Sequence, residues 1–165
     1  MRSCRRGIIE SKLKNPAKLK SILFHLKKQG KRIVFTNGCF DILHYGHVKY
    51  LEDAKGKGDV LIVGLNSDSC VRRIKGPKRP INLEYDRSRT IAALESVDYV
   101  VLFSEDTPLN LIKLIRPDVL IKGSDWHKNI VGSDFVLSYG GKVLAVKLIN
   151  GRSTTDLIKK IVKLS

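Results

Sequence analysis

Two histidines, His44 and His47, stand three residues apart in the run FTNGCFDILHYGHVKYL, Phe35–Leu51. A strand-like apolar run at 32–36 enters this segment, and a helix-like pattern leaves it. Residues spaced i, i+3 on a first helical turn share one face. Gly46 between them removes a side chain, so a ligand could approach the backbone. The helix start also offers unpaired N–H groups and partial positive charge, for which phosphate is a common occupant. Two imidazoles would add donors and could carry charge once an anion is bound. The competing chemistry is a metal pair with Asp41 as third ligand. Two histidines alone fall short of the usual three or four ligands.

No P-loop, dinucleotide fingerprint or nucleophile elbow is present. Phosphate binding would therefore rest on the histidines and on residues 72–83, RRIKGPKRPINL, with five basic residues, two prolines and a glycine. That composition predicts a long loop. GRSTTDLI at 151–158 is a second candidate. Ser153 and Thr154 open a helix there, and their hydroxyls and free N–H groups could cradle phosphate or simply cap the helix with Asp156.

These groups need a scaffold. Residues 15–30 predict one amphipathic helix: Asn15 caps it, Pro16 fits its first position, and Gly30 fits just past its end. Leu19, Ile22, Leu23 and Leu26 make its apolar stripe. Strands are predicted at 32–36, 60–65, 99–103, 119–123 and 142–148, and helices near 45–57, 84–96, 107–116, 129–138 and 154–163. Alternation of this kind predicts a doubly wound, five-stranded parallel sheet, Rossmann-like, preceded by an extra N-terminal helix. Ligands of such sheets sit beyond the carboxyl ends of the strands, where the loop after the second strand lies. The expected organisation is a basic tail at 1–14 and a single domain at 15–165, led by the 15–30 helix.

The chain has 165 residues and a net charge of +15. Residues 1–32 hold eleven Lys/Arg and one acid, Glu10. The excess fits a nucleic-acid arm or a solvated basic face. Without a nucleic-acid motif or aromatic interleaving, the second is preferred, and neither nucleic acid nor membrane is an expected partner. No apolar run approaches a membrane span and no secretory h-region is seen, so a cytoplasmic location is expected. The three cysteines, Cys4, Cys39 and Cys70, suggest neither a disulfide frame nor a zinc site. Beside a helix start, Cys39 is expected to have a lowered pKa.

With these residues in view, TNGCFDILHYGHVKYLEDAKGKGD and GRSTTDLI resemble the two motifs of the HxGH nucleotidylyltransferases, in their cytidylyltransferase-like branch. The stretches LNSDSCVRRIKGPKRPIN, ALESVDYVV and EDTPLNLIKLIRPDVLIKGSDW are similar to those of the heptose 1-phosphate adenylyltransferases of ADP-heptose synthesis. The resemblance implies transfer of AMP from ATP to D-glycero-β-D-manno-heptose 1-phosphate, with Mg²⁺ accompanying ATP. It also implies a homodimer, a separate heptose 7-phosphate kinase in the same pathway, and a role in lipopolysaccharide core synthesis.

By the same resemblance, His44, His47, Lys75 and Arg87 are the catalytic residues. Thr36, Asn37, Gly38, Phe40, His44, His47, Lys75, Gly123, Asp125, Ser153 and Thr154 bind nucleotide. Lys75 bridges phosphates or is a solvated loop lysine; Arg87 faces ligand or pairs with Glu84 or Asp86. Asp41 anchors the histidine loop or touches the acceptor phosphate. Trp126 stacks on base or sugar, or merely packs. No protein side chain is assigned to metal.

The alternative is glycerol-3-phosphate cytidylyltransferase or another small-phosphate nucleotidylyltransferase. That cytidylyltransferase carries an arginine and a threonine where Leu148 and Ile149 stand here, and an aspartate where Ser124 stands. Arg152 replaces the usual small or apolar residue before Ser153.

Overall fold

The computed structural model describes residues 7–123, 130–147, 149, 151 and 153–164. Its elements in chain order are α1 (Ile8–Lys12), α2 (Pro16–Lys28), β1 (Ile33–Gly38), α3 (Tyr45–Lys55), β2 (Val60–Asn66), α4 (Asp68–Lys75) and α5 (Glu84–Ala92). β3 (Tyr99–Phe103), α6 (Leu109–Ile115), β4 (Val119–Gly123), α7 (Ser133–Ser138), β5 (Lys142–Val146) and α8 (Thr154–Val162) follow. All five strands are parallel, in the order β3-β2-β1-β4-β5. This is the expected doubly wound Rossmann-like sheet. The chain runs outward from β1 to one edge, then returns to lay β4 and β5 on the other side. The order therefore reverses between β1 and β4, and a crevice opens beyond their carboxyl ends.

Strand residues alternate between two cores, which is why the central strands read as unbroken apolar runs. Val34, Leu61, Val63 and Leu65 pack with Leu51 and Ala54 of α3 and Ile91 of α5. Ile33, Phe35 and Ile62 face the other way, onto Leu19 and Leu23 of α2, Ile112 and Ile115 of α6 and Val136 of α7. The leading helix forms as its sequence dictates. Asn15 Oδ1 accepts from the Lys18 N–H at 2.8 Å, Pro16 opens the helix, and Gly30 takes φ +67° just beyond it.

Three expectations need correction. The 1–14 segment is not a free tail from Gly7 onward. α1 docks beside α5, Leu13 bridges Val100 as a rudimentary parallel strand, and Lys12 Nζ donates to the Leu94 carbonyl at 3.0 Å. The edge of β3 supplies partners that no local pattern in 1–14 reveals. The predicted 72–83 loop begins later than expected, because 72–75 are the last turn of α4. Ser67 Oγ accepts from the Cys70 N–H at 3.3 Å to cap that helix, and Gly76 ends it at φ +95°. Finally, β1 runs to Gly38 and β5 stops at Val146, so the first strand reaches further toward the crevice than its apolar run suggests.

Candidate active site

At the carboxyl end of β1 the chain turns from strand to helix in a few residues. Thr36 is fully buried, and its Oγ1 lies 2.6 Å from Tyr50 Oη of α3, tying the strand end to the helix. Phe40 adopts a left-handed φ of +43°. Its ring lies against Gly38, where an added Cβ would stand 2.9 Å from Phe40 Cε2 and would push the ring aside. His44 then occupies the extended position before α3, with its carbonyl accepting from the His47 N–H at 2.9 Å.

The imidazoles of His44 and His47 stack, with centroids 3.8 Å apart and planes 22° from parallel. Phe40 meets His47 edge-on at 5.1 Å. His47 has its pKa lowered to about 4, first by burial and then by the neighbouring His44 and Lys75. It is therefore neutral at physiological pH, holding one N–H donor and one acceptor.

A cavity of about 210 Å³ opens over this turn. From the strand ends come Asn37, Gly38 and Gly123; from the turn and α3, Phe40, Asp41 and His47; from α8, Thr154. Lys75, at the last position of α4, and Arg79, in the loop behind it, bring positive charge to the rim. Asn37 Oδ1 and Arg79 Nη2 are buried there without a hydrogen-bond partner among the described residues. Unused buried polar atoms are costly unless something completes them. A cavity that combines the spare Arg79 donor, two helix starts and the cations Lys75 and Lys122, with its one carboxylate already paired to Arg79, can hold a polyphosphate.

That carboxylate is Asp41, buried and doubly committed. Oδ2 accepts from Arg79 Nε at 2.6 Å; Oδ1 accepts from the backbone N–H groups of Ile81 and Asn82 at 2.8 and 2.9 Å. Of its two expected roles, the structure gives it the anchor: it hangs the basic loop from the histidine loop. Its expected contact with an acceptor is not what its oxygens do.

Arg87 also departs from expectation. Its guanidinium is buried and faces protein on every side, donating to the carbonyls of Asn82 (2.9 Å) and Cys39 (2.6 Å) and to Asp68 Oδ1 (2.8 Å). Neither Glu84 nor Asp86 is its partner. A planar five-donor fork suits three acceptors held at fixed angles. Arg87 is thus a positioning residue beneath the site, joining the histidine loop, the basic loop and α4. Cys39 is corrected in the opposite sense. Burial pushes its thiol pKa up, against the pull of Lys75 and Arg87.

The structure brings Asn37, Gly38, Phe40, His47, Lys75, Gly123 and Thr154 together around one cavity. His44 supports His47 from behind, Thr36 lies beneath, and Ser153 caps α8 by accepting from the Asp156 N–H at 3.1 Å. Asp125, Trp126, Ser124, Leu148, Arg152 and Cys4 lie outside the described residues. Sequence reasoning missed Arg79 and Tyr50, both of which line the cavity. Tyr50 was findable, since it sits one helical turn after His47. Arg79 carried no signal beyond its basic loop.

Residues 35–163 match the cytidylyltransferase-like family. A bifunctional protein HldE of Geobacter sulfurreducens is 54% identical over 155 residues, covering 93% of this chain and 32% of the relative. One of Nitratiruptor is 52% identical over 161 residues, covering 97% and 34%. The chain thus spans about a third of the length of the curated relatives it matches. Among solved structures, the lipopolysaccharide core biosynthesis protein of Thermoplasma volcanium shares 30% identity with a TM-score of 0.59, covering 73% of this chain and 98% of that one. Pantoate-beta-alanine ligase of Francisella tularensis has a TM-score of 0.61 at 18% identity, a likeness of fold alone.

Proposed function

The chain belongs to the cytidylyltransferase-like family of nucleotidyltransferases, and from that premise we propose that it transfers AMP from ATP to D-glycero-β-D-manno-heptose 1-phosphate. The products are ADP-heptose and pyrophosphate. The observation that carries the reading is the cavity at the β1–β4 reversal, where His47, Lys75, Arg79 and Thr154 converge. The similarity to HldE proteins and to a lipopolysaccharide core biosynthesis protein supports the sugar acceptor. In this reading the enzyme is cytoplasmic, works as a homodimer and acts in the same pathway as a heptose 7-phosphate kinase activity. Among the described residues no helix is long and apolar enough to cross a membrane.

An oxygen of the sugar phosphate attacks the α-phosphorus in line, and pyrophosphate leaves. Such transfer needs positioning and charge stabilisation more than covalent help. His47 has one ring hydrogen bond to the Ile42 backbone, and its other nitrogen faces a phosphate oxygen, to which it donates once protonated. Charge gathering on that oxygen favours the imidazolium, so the interaction strengthens toward the transition state. Lys75 and the spare Nη2 of Arg79 meet the departing phosphates. Thr154 and the start of α8 hold the opposite side. Mg²⁺ accompanying ATP would be held mainly by the phosphate oxygens and would neutralise part of their charge. The backbone at Gly123 leaves room for the base.

Pyrophosphate release with ATP, measured across a panel of sugar 1-phosphates and glycerol 3-phosphate, tests the acceptor. Heptose 1-phosphate is expected to give the highest kcat/KM. A preference for glycerol 3-phosphate would transfer the chain to the cytidylyltransferase reading.

A further inference from the structure

A second cavity, about 570 Å³, lies apart from the one described above. It lies at the opposite end of the sheet, where β4 and β5 begin and Arg32 leads into β1. Lys27, Lys31, Arg32, Arg116 and Lys142 line it against a single carboxylate, Asp118. One oxygen of that carboxylate is engaged, accepting from the Ile33 N–H at 2.7 Å. Lys27 is held at the floor by the carbonyls that end α6, with Nζ donating to Ile115 O at 3.0 Å and Arg116 O at 3.2 Å. Arg116 adopts a left-handed φ of +48° and lays its guanidinium over the Tyr139 ring, Cζ 4.6 Å from the centroid. The Tyr139 hydroxyl donates to Pro117 O at 2.8 Å.

The geometry points to a second anion site here, which takes a small ligand carrying two or more adjacent phosphate groups. Five cations against one engaged carboxylate leave an uncompensated positive field in a concavity, where such fields are focused. The volume lies within the range of small-molecule sites. The shape argues against a nucleic acid strand. The charges line a hollow rather than a stripe, and the one aromatic, Tyr139, has a face covered by Arg116, which leaves little for bases to stack on. Lys27 fits the same picture: burial lowers its pKa, and an arriving anion would restore the preference for its charged form. Nothing in the proposed transfer uses this cavity.

Titration calorimetry of the full chain with inorganic tripolyphosphate tests the site. Two binding events are expected for the wild type. Lys31→Ala/Lys142→Ala, two exposed positions, is expected to weaken one of them about tenfold or more while leaving kcat and thermal stability unchanged. His47→Ala/Lys75→Ala is expected to remove the other. A control on distant exposed lysines, Lys20→Ala/Lys160→Ala, should change neither. The proposal is overturned if the wild type binds a single equivalent that His47→Ala/Lys75→Ala abolishes. It is equally overturned if Lys31→Ala/Lys142→Ala binds as the wild type does, or if the control weakens binding to the same extent.

Discussion

His47 combines three environments in one side chain: an imidazole stacked behind it, an aromatic edge beside it and a basic cavity in front. In the proposed mechanism, replacing it with alanine removes a group that donates to developing charge. The loss in kcat is expected to be about 100-fold or more, roughly 2.7 kcal/mol, with the fold retained. Near-normal turnover in a folded variant would contradict the phosphate role. The same residue sets a pH dependence. Its folded pKa of about 4 lies below the ordinary 6.5, so the unfolded chain binds more protons between those values. The stability it contributes is complete above about pH 6.5 and declines as pH falls toward 4, by on the order of 2–3 kcal/mol. Urea midpoints at pH 7 and pH 4.5 should fall further for the wild type than for His47→Ala; parallel losses would sink this account. Arg87 obeys a different logic. Removing one member of a buried pair strands the other, so Arg87→Ala is expected to cost about 3–5 kcal/mol of stability. An unchanged melting temperature with a raised KM for ATP would instead return Arg87 to the ligand-facing role. The motif residues were legible because a three-residue spacing is local information, although His44 stands at the extended cap before α3 and not, as expected, on its first turn. The part played by Arg87 was not, because the Cys39 carbonyl it holds is 48 residues away in the chain.

At the scale of elements, α4 and α5 hold each other by their starts. The Asp68 N–H donates to Glu84 Oε2 at 2.7 Å, and the Glu84 N–H donates to Asp68 Oδ1 at 2.8 Å. Each carboxylate serves the first turn of the other helix, where negative charge is favoured. This fixes the direction in which α4 delivers Lys75. The strands were readable from their apolar runs. The short α4 was not, because its buried face is only Cys70 and Val71 and four of its other six residues are charged. The docked N-terminal segment was equally hidden, since Leu13 finds its partner at Val100. Truncation separates its roles. Deleting residues 1–14 removes the Lys14 N–H bond to the Val100 carbonyl, 2.9 Å, and the Lys12 contact with Leu94. A loss of about 1–3 kcal/mol is expected, lowering Tm by roughly 2–10 °C. Turnover at 25 °C should persist, because the cavity lining begins at Asn37. A folded truncation without activity would make the segment part of the site.

Over the whole molecule, one reversal of strand order places two helix starts, two glycine-bearing strand ends and a basic loop around a single cavity. That arrangement accounts for nucleotidyl transfer; the choice of base rests on finer differences. By resemblance, Leu148, Ile149 and Ser124 replace the polar residues of the cytidylyltransferase. Cytosine would then lose partners for its carbonyl and amino groups, each worth about 1–3 kcal/mol when buried. Adenine can be held by stacking and by backbone groups beside Gly123. Two missing partners would set CTP back by roughly 2–6 kcal/mol. Steady-state kcat/KM for ATP and for CTP, with heptose 1-phosphate as acceptor, measures that difference directly. A preference for ATP of about thirtyfold or more is the predicted result. Equal or better use of CTP would contradict the adenylyl assignment.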